Sequence, residues 1–242
     1  IVIATGSVPA RVPIPGIELP GVITSNELLE LESLPESMVV IGGSVVGIEF
    51  ACLMHALGCE VSVVGRKSFL RDAEQQLAKR MRIMLSRRGI DITIGLEFQE
   101  ITRGENGSLR VNYSRRGREG FAEGEIVLLA TGRWPYTDGV GLENVGIETT
   151  GRAITVDQHL ETNVPGIYAI GDCIGGYMLA HVASYEAEVA VENALGGRRA
   201  VDYAVVPNCI FTIPEIAGVG LTEADAKDAG LSYTVSRFPF NV

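Results

Sequence analysis

Basic residues, paired cysteines, histidines and long apolar runs are all scarce in this sequence, and each scarcity excludes something. Twenty Lys+Arg stand against thirty Asp+Glu, a net charge of −10, which argues against nucleic acid or an anionic membrane as the main partner. The four cysteines, Cys52, Cys59, Cys173 and Cys209, show no C-x-x-C or other metal-ligand spacing, so no metal site is expected. Unpaired and scattered, they suit a reducing cytoplasm, with core packing the expected role of Cys52 and Cys59. No apolar run has the length of a membrane span, and no signal peptide opens the chain. The first residues, Ile1-Val2-Ile3, read as part of a core strand without an initiator Met, so the chain is expected to be a piece of something longer. What is plentiful is apolar material. At 46% hydrophobic residues over 242 positions, a globular fold with a real core is expected.

The stretch that organises the chain runs from Met38 to Lys67. Met38 to Ile41 is a short apolar run, mostly β-branched, and reads as a buried parallel strand. Gly42-Gly43-Ser44-Val45-Val46-Gly47 follows, then an apolar helix from Ile48 to Leu57 ended by Gly58, then a strand from Glu60 to Val64. Strand, glycine turn, helix, strand is the dinucleotide-binding unit, in which a pyrophosphate rests on the helix N-terminus. Gly42 fills the tight-turn position and Gly47 the close-packing position. Ser44 replaces the middle glycine, where its Cβ crowds a phosphate that its hydroxyl could in turn hydrogen-bond. The alternative is a βα turn of another α/β fold with no nucleotide.

Around this unit the organisation is coarser. Residues 1 to 7 read as a strand ending in Thr-Gly, and 8 to 22, with Pro9, Pro13, Pro15 and Pro20, as an interdomain connector. Ser25 is expected to cap a helix from Asn26 to Leu31, and Asp72 one from Ala73 to Arg88 with Leu77, Met81, Met84 and Leu85 on its core face. Ile90 to Ile94, Phe98 to Arg103 and Leu109 to Arg115 read as strands. Glu125 to Ala130 is again a buried strand closing on Thr131-Gly132-Arg133. It echoes Ala4-Thr5-Gly6, which suggests two junctions of one kind. A short strand runs into Gly171-Asp172, and a helix from Met178 to Leu195 follows.

Six separated motifs then resemble the pyridine nucleotide-disulfide oxidoreductases, class I flavoproteins. These are Ala4-Thr5-Gly6, Gly42 to Glu49, Ala130 to Arg133, Thr162 to Asp172, Met178-Leu179-Ala180-His181, and Ile213-Pro214-Glu215 with Gly218 to Thr222. The likeness is strongest to the dihydrolipoamide dehydrogenase branch, while Ser44 and Val45 look more like mercuric reductase. The resemblance implies an α/β fold: a Rossmann-like three-layer NAD(P)-binding domain, part of an FAD-binding domain and the start of an α+β dimer-interface domain. It divides the chain into 1–24 (end of a first FAD segment and connector), 25–133 (NAD(P) domain), 134–200 (second FAD segment) and 201–242 (interface domain).

It further implies that Thr5, Gly6, Ala130, Thr131, Gly132 and Arg133 flank the cofactors, and that Gly171 and Asp172 hold the ribityl chain of FAD. Backbone N–H groups of Met178 to His181 would then face the isoalloxazine. Glu49, the candidate catalytic residue, pairs in the family with a lysine beside the flavin. That lysine lies outside this chain, so Glu49 is expected to be orphaned. The family's redox pair C-x-x-x-x-C is absent here. The acid–base His-x-x-x-x-Glu of its C-terminal part is expected to lie outside this chain. The chain reads as the middle of an enzyme that passes hydride between NAD(P)H and FAD and then reduces a disulfide or another acceptor. It would act as a homodimer through a further C-terminal domain. Mercuric reductase, glutathione reductase and pyridine-nucleotide transhydrogenase are alternatives within the family, and a noncatalytic nucleotide-binding module is one outside it.

Cofactor choice rests on the end of the second strand, where NAD-specific folds place an acid for the ribose hydroxyls. Here that position is Gly65, followed by Arg66-Lys67 and later Arg71. Glu60 lies at the far end of the strand, roughly 16 Å away at ~3.3 Å per residue. NADP is therefore expected, with NAD possible. The alternative is that Arg66, Lys67 and Arg71 are solvated loop charges.

Overall fold

In the computed structural model, residues 1–71 and 73–239 are described. The chain opens with β1 (Val2–Ile3), β2 (Ser7–Pro9), β3 (Val22–Thr24) and a short helix α1 (Ser25–Leu29). It continues through β4 (Ser37–Ile41), α2 (Val45–Ala56), β5 (Glu60–Gly65), α3 (Gln75–Arg87) and β6 (Asp91–Ile94). An antiparallel meander of β7 (Glu97–Arg103), β8 (Leu109–Arg115) and β9 (Arg118–Gly124) leads to β10 (Ile126–Leu129). Strands β3, β10, β4, β5 and β6 lie side by side in that order, every pair parallel.

Parallel neighbours need long crossovers, and these build the layers. Helices α2 and α3 cover one face, where Met38, Val40, Val61, Val63 and Leu128 meet Ile48, Ala51, Met81 and Leu85. The meander covers the other, where Val39, Ile41, Val127 and Leu129 meet Ile101, Leu109 and Val111. Alternate residues of β4 thus enter two different cores, which is why the strand carries no polar position between Met38 and Ile41. Val39, Val40 and Ile41 are 0% exposed, each side chain contributing about 1.5–3 kcal/mol over its exposed state.

The proline-rich connector is part of this body. Ile14 is buried in the meander core, and Ile101 N–H donates to Pro15 O at 2.7 Å. Val22–Thr24, just ahead of the boundary expected at 24/25, pairs with Val127–Leu129 and so lies in the same sheet as β4. Ser25 does not cap α1. Thr24 does: its hydroxyl oxygen accepts from Asn26 N–H, Glu27 accepts from Thr24 N–H at 2.8 Å, and the helix ends at Leu29. Asp72 lies outside the described residues; α3 begins at Gln75 with Glu74 as its cap. Ala78, Met81 and Leu85 form the buried stripe of α3, whereas Leu77 and Met84, on its flanks, are 40% and 38% exposed. One helix face packed on a sheet is narrower than the apolar stripe in the sequence.

Beyond β10 come β11 (Arg133–Pro135), β12 (Thr149–Thr150), β13 (Ala153–Ile154), β14 (Tyr168–Ala169) and the helix α4 (Ala180–Ala194). β1 pairs in parallel with β14, so residues 1–3 rejoin a second body with its own small cores around Ile154, Cys173, Leu160 and Val189. The chain then forms a hairpin of β15 (Pro207–Ile210) and β16 (Ile216–Val219), followed by α5 (Glu223–Asp228). Ile210 and Ile216 sink into the core beneath α2 and α3. Among the described residues, no helix is long and apolar enough to cross a membrane.

Candidate functional site

The sheet order reverses at β4, with β5 on one side and β10 on the other, and ligands of doubly wound sheets bind at such a switch point. The glycine turn stands there. Gly42 has φ +136°, and a Cβ on it would overlap the Ala130 carbonyl oxygen. A Cβ on Gly47 would lie 2.7 Å from Gly42 O and 3.0 Å from the Ala130 Cβ, so the helix packs against the turn and the end of β10 with no room for a side chain at this position. The amides of Val45, Val46 and Gly47 precede the first intrahelical bond, Ile48 N–H to Ser44 O, and are therefore the donors such a helix offers to an anion. Ser44 is the N-cap residue, but its hydroxyl donates to Ala130 O at 2.8 Å and makes no cap bond. In this structure its proton is thus directed to the carbonyl that follows β10.

The loop after β5 folds back over this turn. Leu70 N–H donates to Gly43 O at 2.7 Å, and Gly43 sits under the Ser68 carbonyl with no room for a Cβ, which would come within 2.6 Å. Gly65 is buried at the strand end and its carbonyl accepts from Gly95 and Leu96. Arg66, Lys67 and Arg71 are exposed on the loop so anchored. The structure therefore brings Gly42 to Gly47 and the basic loop together.

The two echoed junctions meet. β2 and β11, each following Ala-Thr-Gly, pair antiparallel with Val8 opposite Trp134. Tyr136 N–H donates to Gly6 O and Ala10 N–H to Gly132 O, both at 2.9 Å. Thr5 Oγ1 donates to Tyr136 O at 2.6 Å and Thr131 Oγ1 to Ala10 O at 2.8 Å. Arg133 then reaches back, Nε donating to Ser7 Oγ at 2.7 Å and its terminal nitrogen to Ser7 O at 2.8 Å. Ser7 Oγ donates onward to Asp172 Oδ2 at 2.5 Å. Arg133, expected to flank the cofactors, and Asp172, expected to hold the ribityl chain, are thus joined through a serine that sequence reasoning passed over. Its signal was its position one residue after the Ala-Thr-Gly motif.

Gly171 and Asp172 open a short 3-10 turn, and Leu179 leads into α4 without a side-chain cap, leaving the amides of Ala180 and His181 available. Met178 is held at φ +48° just before it. The His181 ring turns away, with Nε2–H donating to Pro207 O at 2.8 Å. Glu49 is half-buried on α2 and is not orphaned: its Oε1 accepts from Phe211 N–H at 2.7 Å. The terminal hairpin, remote in sequence, supplies the donor. Glu186 and Tyr203 were also missed, although an acid inside the apolar face of α4 was legible by the argument applied to Glu49.

Cys52 and Cys59 are not poised for thiolate chemistry. Cys52 and Cys59 are buried in the core beneath α2. Burial raises both thiols, and with Glu125 and Glu60 nearby Cys59 is pushed up to about 11.

Comparison with known proteins agrees with this geometry. Residues 1–187 match the family model described as pyridine nucleotide-disulphide oxidoreductase, and residues 206–242 match its dimerisation domain. The chain is 38% identical to dihydrolipoyl dehydrogenase of Bacillus subtilis over 99% of its own length and 51% of that protein. It is 37% identical to the mitochondrial dihydrolipoyl dehydrogenase of Dictyostelium discoideum, covering 99% and 50%. Among solved structures, the HOCl-induced flavoprotein disulfide reductase RclA of Escherichia coli superposes with TM-score 0.84 at 30% identity, over 95% of this chain and 53% of that one. LpdA of Mycobacterium tuberculosis does so with TM-score 0.83 at 33% identity, over 95% and 50%. The chain spans about half the length of the relatives it matches. With three quarters of its residues inside the first family match and the fold shared, the chain belongs to the pyridine nucleotide-disulphide oxidoreductase family.

Proposed function

We propose that the chain is the NAD(P)H-binding and partial FAD-binding portion of a dihydrolipoyl dehydrogenase-like flavoprotein, and that it prefers NADPH. The observation that carries the reading is the glycine turn at the switch point, with helix amides uncovered and a basic loop hydrogen-bonded onto it through Leu70 and Gly43. When bound, the nicotinamide supplies hydride and the flavin accepts it. The chain's own residues hold and orient. The amides of Val45 to Gly47 take the pyrophosphate, and Arg66, with Lys67 and Arg71 beside it, meets a ribose phosphate that no acid at position 65 repels. Asp172, supported by Ser7 and Arg133, accepts from the ribityl hydroxyls, and the amides opening α4 face the electron-rich edge of the flavin. Orientation of this kind is the main source of rate gain in hydride transfer between two bound rings.

The same reading includes the division into a nucleotide domain within 22–133, a second flavin segment over 134–200 and an interface segment from 201. It also includes a homodimer, a disulfide or other acceptor served by parts outside this chain, and a cytoplasmic setting. Glu49 belongs to it as the acid that pairs with a lysine beside the flavin, with Phe211 N–H as its present partner.

Titration of the chain with both cofactors at fixed ionic strength tests the core of the proposal. NADPH is expected to bind at least about tenfold tighter than NADH, since a charge-assisted hydrogen bond is worth about 1.5–3 kcal/mol. Arg66→Glu is expected to erase or reverse the preference. It is a cleaner variant than an acid at Gly65, where a Cβ would lie 2.6 Å from Ile94 Cδ1. Equal affinities in the unaltered chain refute the NADPH assignment, and no binding of either refutes the site. Flavin retention by this chain alone is expected to be weak, because the resemblance puts the adenine-binding half of that site elsewhere; a stoichiometrically yellow preparation contradicts this.

A further inference from the structure

Glu186 is the one acidic residue among those described that is buried, at 4% exposure. A carboxylate taken from water needs donors or a counter-charge. Here Oε2 accepts from Gly171 N–H at 2.6 Å and Oε1 from the Tyr203 hydroxyl at 2.7 Å. Gly171, at φ +70°, is the residue immediately before Asp172, and Ala183 of α4 closes over it. Tyr203 stands three residues ahead of the dimerisation-domain match, its ring leaning on Tyr177 with centroids 5.5 Å apart. Burial first, and then the Glu186 carboxylate, hold the Tyr203 phenol far above its ordinary range, so it remains a donor at neutral pH. The Gly171–Asp172 turn is thus gripped from two sides. Ser7 holds the Asp172 carboxylate, and Glu186 holds the backbone one residue earlier.

We propose that Glu186 and Tyr203 are positioning residues for the flavin site, a relay through which the segment entering the dimerisation region sets the aim of Asp172. The relay rests on the reading of Asp172 as the ribityl acceptor. Its logic is geometric. Without the phenol, one oxygen of a buried carboxylate loses its donor; the side chain then gains by turning toward water, and Gly171 N–H is released with it. The turn and the dimer-forming segment are therefore coupled by two consecutive hydrogen bonds, with α4 as the rigid element between them.

Hydrogen exchange separates the relay from the flavin assignment. In this chain, Tyr203→Phe keeps the ring and removes only the hydroxyl. Exchange at the amides of 171–175 is expected to rise about tenfold while that of Val39 to Ile41 stays unchanged. Glu186→Gln, which keeps an acceptor for Gly171 N–H, is expected to fall between the unaltered chain and Glu186→Ala. Unchanged exchange at 171–175, or an equal rise in the β4 amides, overturns the relay. In the protein as its own cell makes it, Tyr203→Phe is expected to shift the flavin reduction potential and loosen the flavin; faster exchange with both unchanged overturns the positioning role. If the unaltered protein carries no flavin, the ribityl reading fails, and the proposal for Asp172 with it, while the exchange result still decides whether the two bonds couple.

Discussion

At one Ala-Thr-Gly junction Thr131 donates to the Ala10 carbonyl, and at the other Thr5 donates to that of Tyr136, each threonine bonding to the strand that leaves the opposite junction. The bonds are the same because the local sequence is the same. Their surroundings differ. Ala130 ends the five-stranded sheet, is 4% exposed, and is pressed by Gly42 and Gly47. Ala4 follows a strand that belongs to a sheet of two and is itself exposed. The comparison teaches that the motif specifies a crossing of two strands, whereas the sheet behind it decides how much that crossing resists change.

The sharpest way to break this comparison is by adding one methyl group on each side. Gly42→Ala forces a Cβ into Ala130 O at a φ that side chains avoid, and is expected to cost about 3 kcal/mol or more. Gly6→Ala meets no atom within 4 Å and is expected to cost only the roughly 1 kcal/mol of its positive φ. Urea unfolding of both variants checks this, and equal losses would mean that the two junctions are equally supported. Limited proteolysis probes the same difference on a larger scale. Cleavage within 134–239 is expected to precede cleavage within 38–94, since local opening follows the depth of the surrounding core. Cuts that begin in 38–94 reverse the ranking.

Smaller effects sharpen it. Thr131→Val removes a part-buried donor and is expected to cost about 1 kcal/mol, with Thr5→Val costing less because its bond is solvent-exposed. The α1 capping box, hung on the sheet's edge strand, supplies the mildest test. Thr24, and to a lesser degree its backbone and Arg11, hold the Glu27 carboxyl below its usual 4.5. A depressed folded-state value means that its contribution is fully present above 4.5 and is lost as pH falls through the lower folded value. Thr24→Val is therefore expected to cost about 1 kcal/mol at neutral pH, and progressively less in acid. A pH-independent cost would show that Glu27 plays no part in the cap.

Much of the site could be read in advance where local chemistry decides it. Met38 to Gly47 announces strand, turn and helix because an unbroken apolar run followed by glycines has few other stable forms. Gly65 and the arginines after it mark a strand end and a basic loop, though not that the loop folds onto Gly43. Hydroxyl and carboxylate destinations were less legible. Ser44 turned its proton to Ala130 O, Glu49 found Phe211, and Ser7 bridged Arg133 and Asp172, partners 86, 162, 126 and 165 residues away. Polar side chains take the nearest donor or acceptor in space, and sequence spacing beyond a helical turn does not report that distance.

By itself the sequence determined the periodicities: which strand must be buried on two faces, where only glycine fits, and that Ala-Thr-Gly occurs twice at the end of a strand. Those follow from sterics and water, which act residue by residue. The tertiary structure decided what the repeats are for. Only when residues 1–3 cross to pair with Tyr168–Ala169, and Val22–Thr24 with Val127–Leu129, do the two junctions lie face to face. Strand pairing across more than a hundred residues is selected by the whole set of buried faces at once. For that reason the chain from Arg133 to Asp172, and the grip of Glu186 on the turn before it, exist in the fold and in no segment of the sequence.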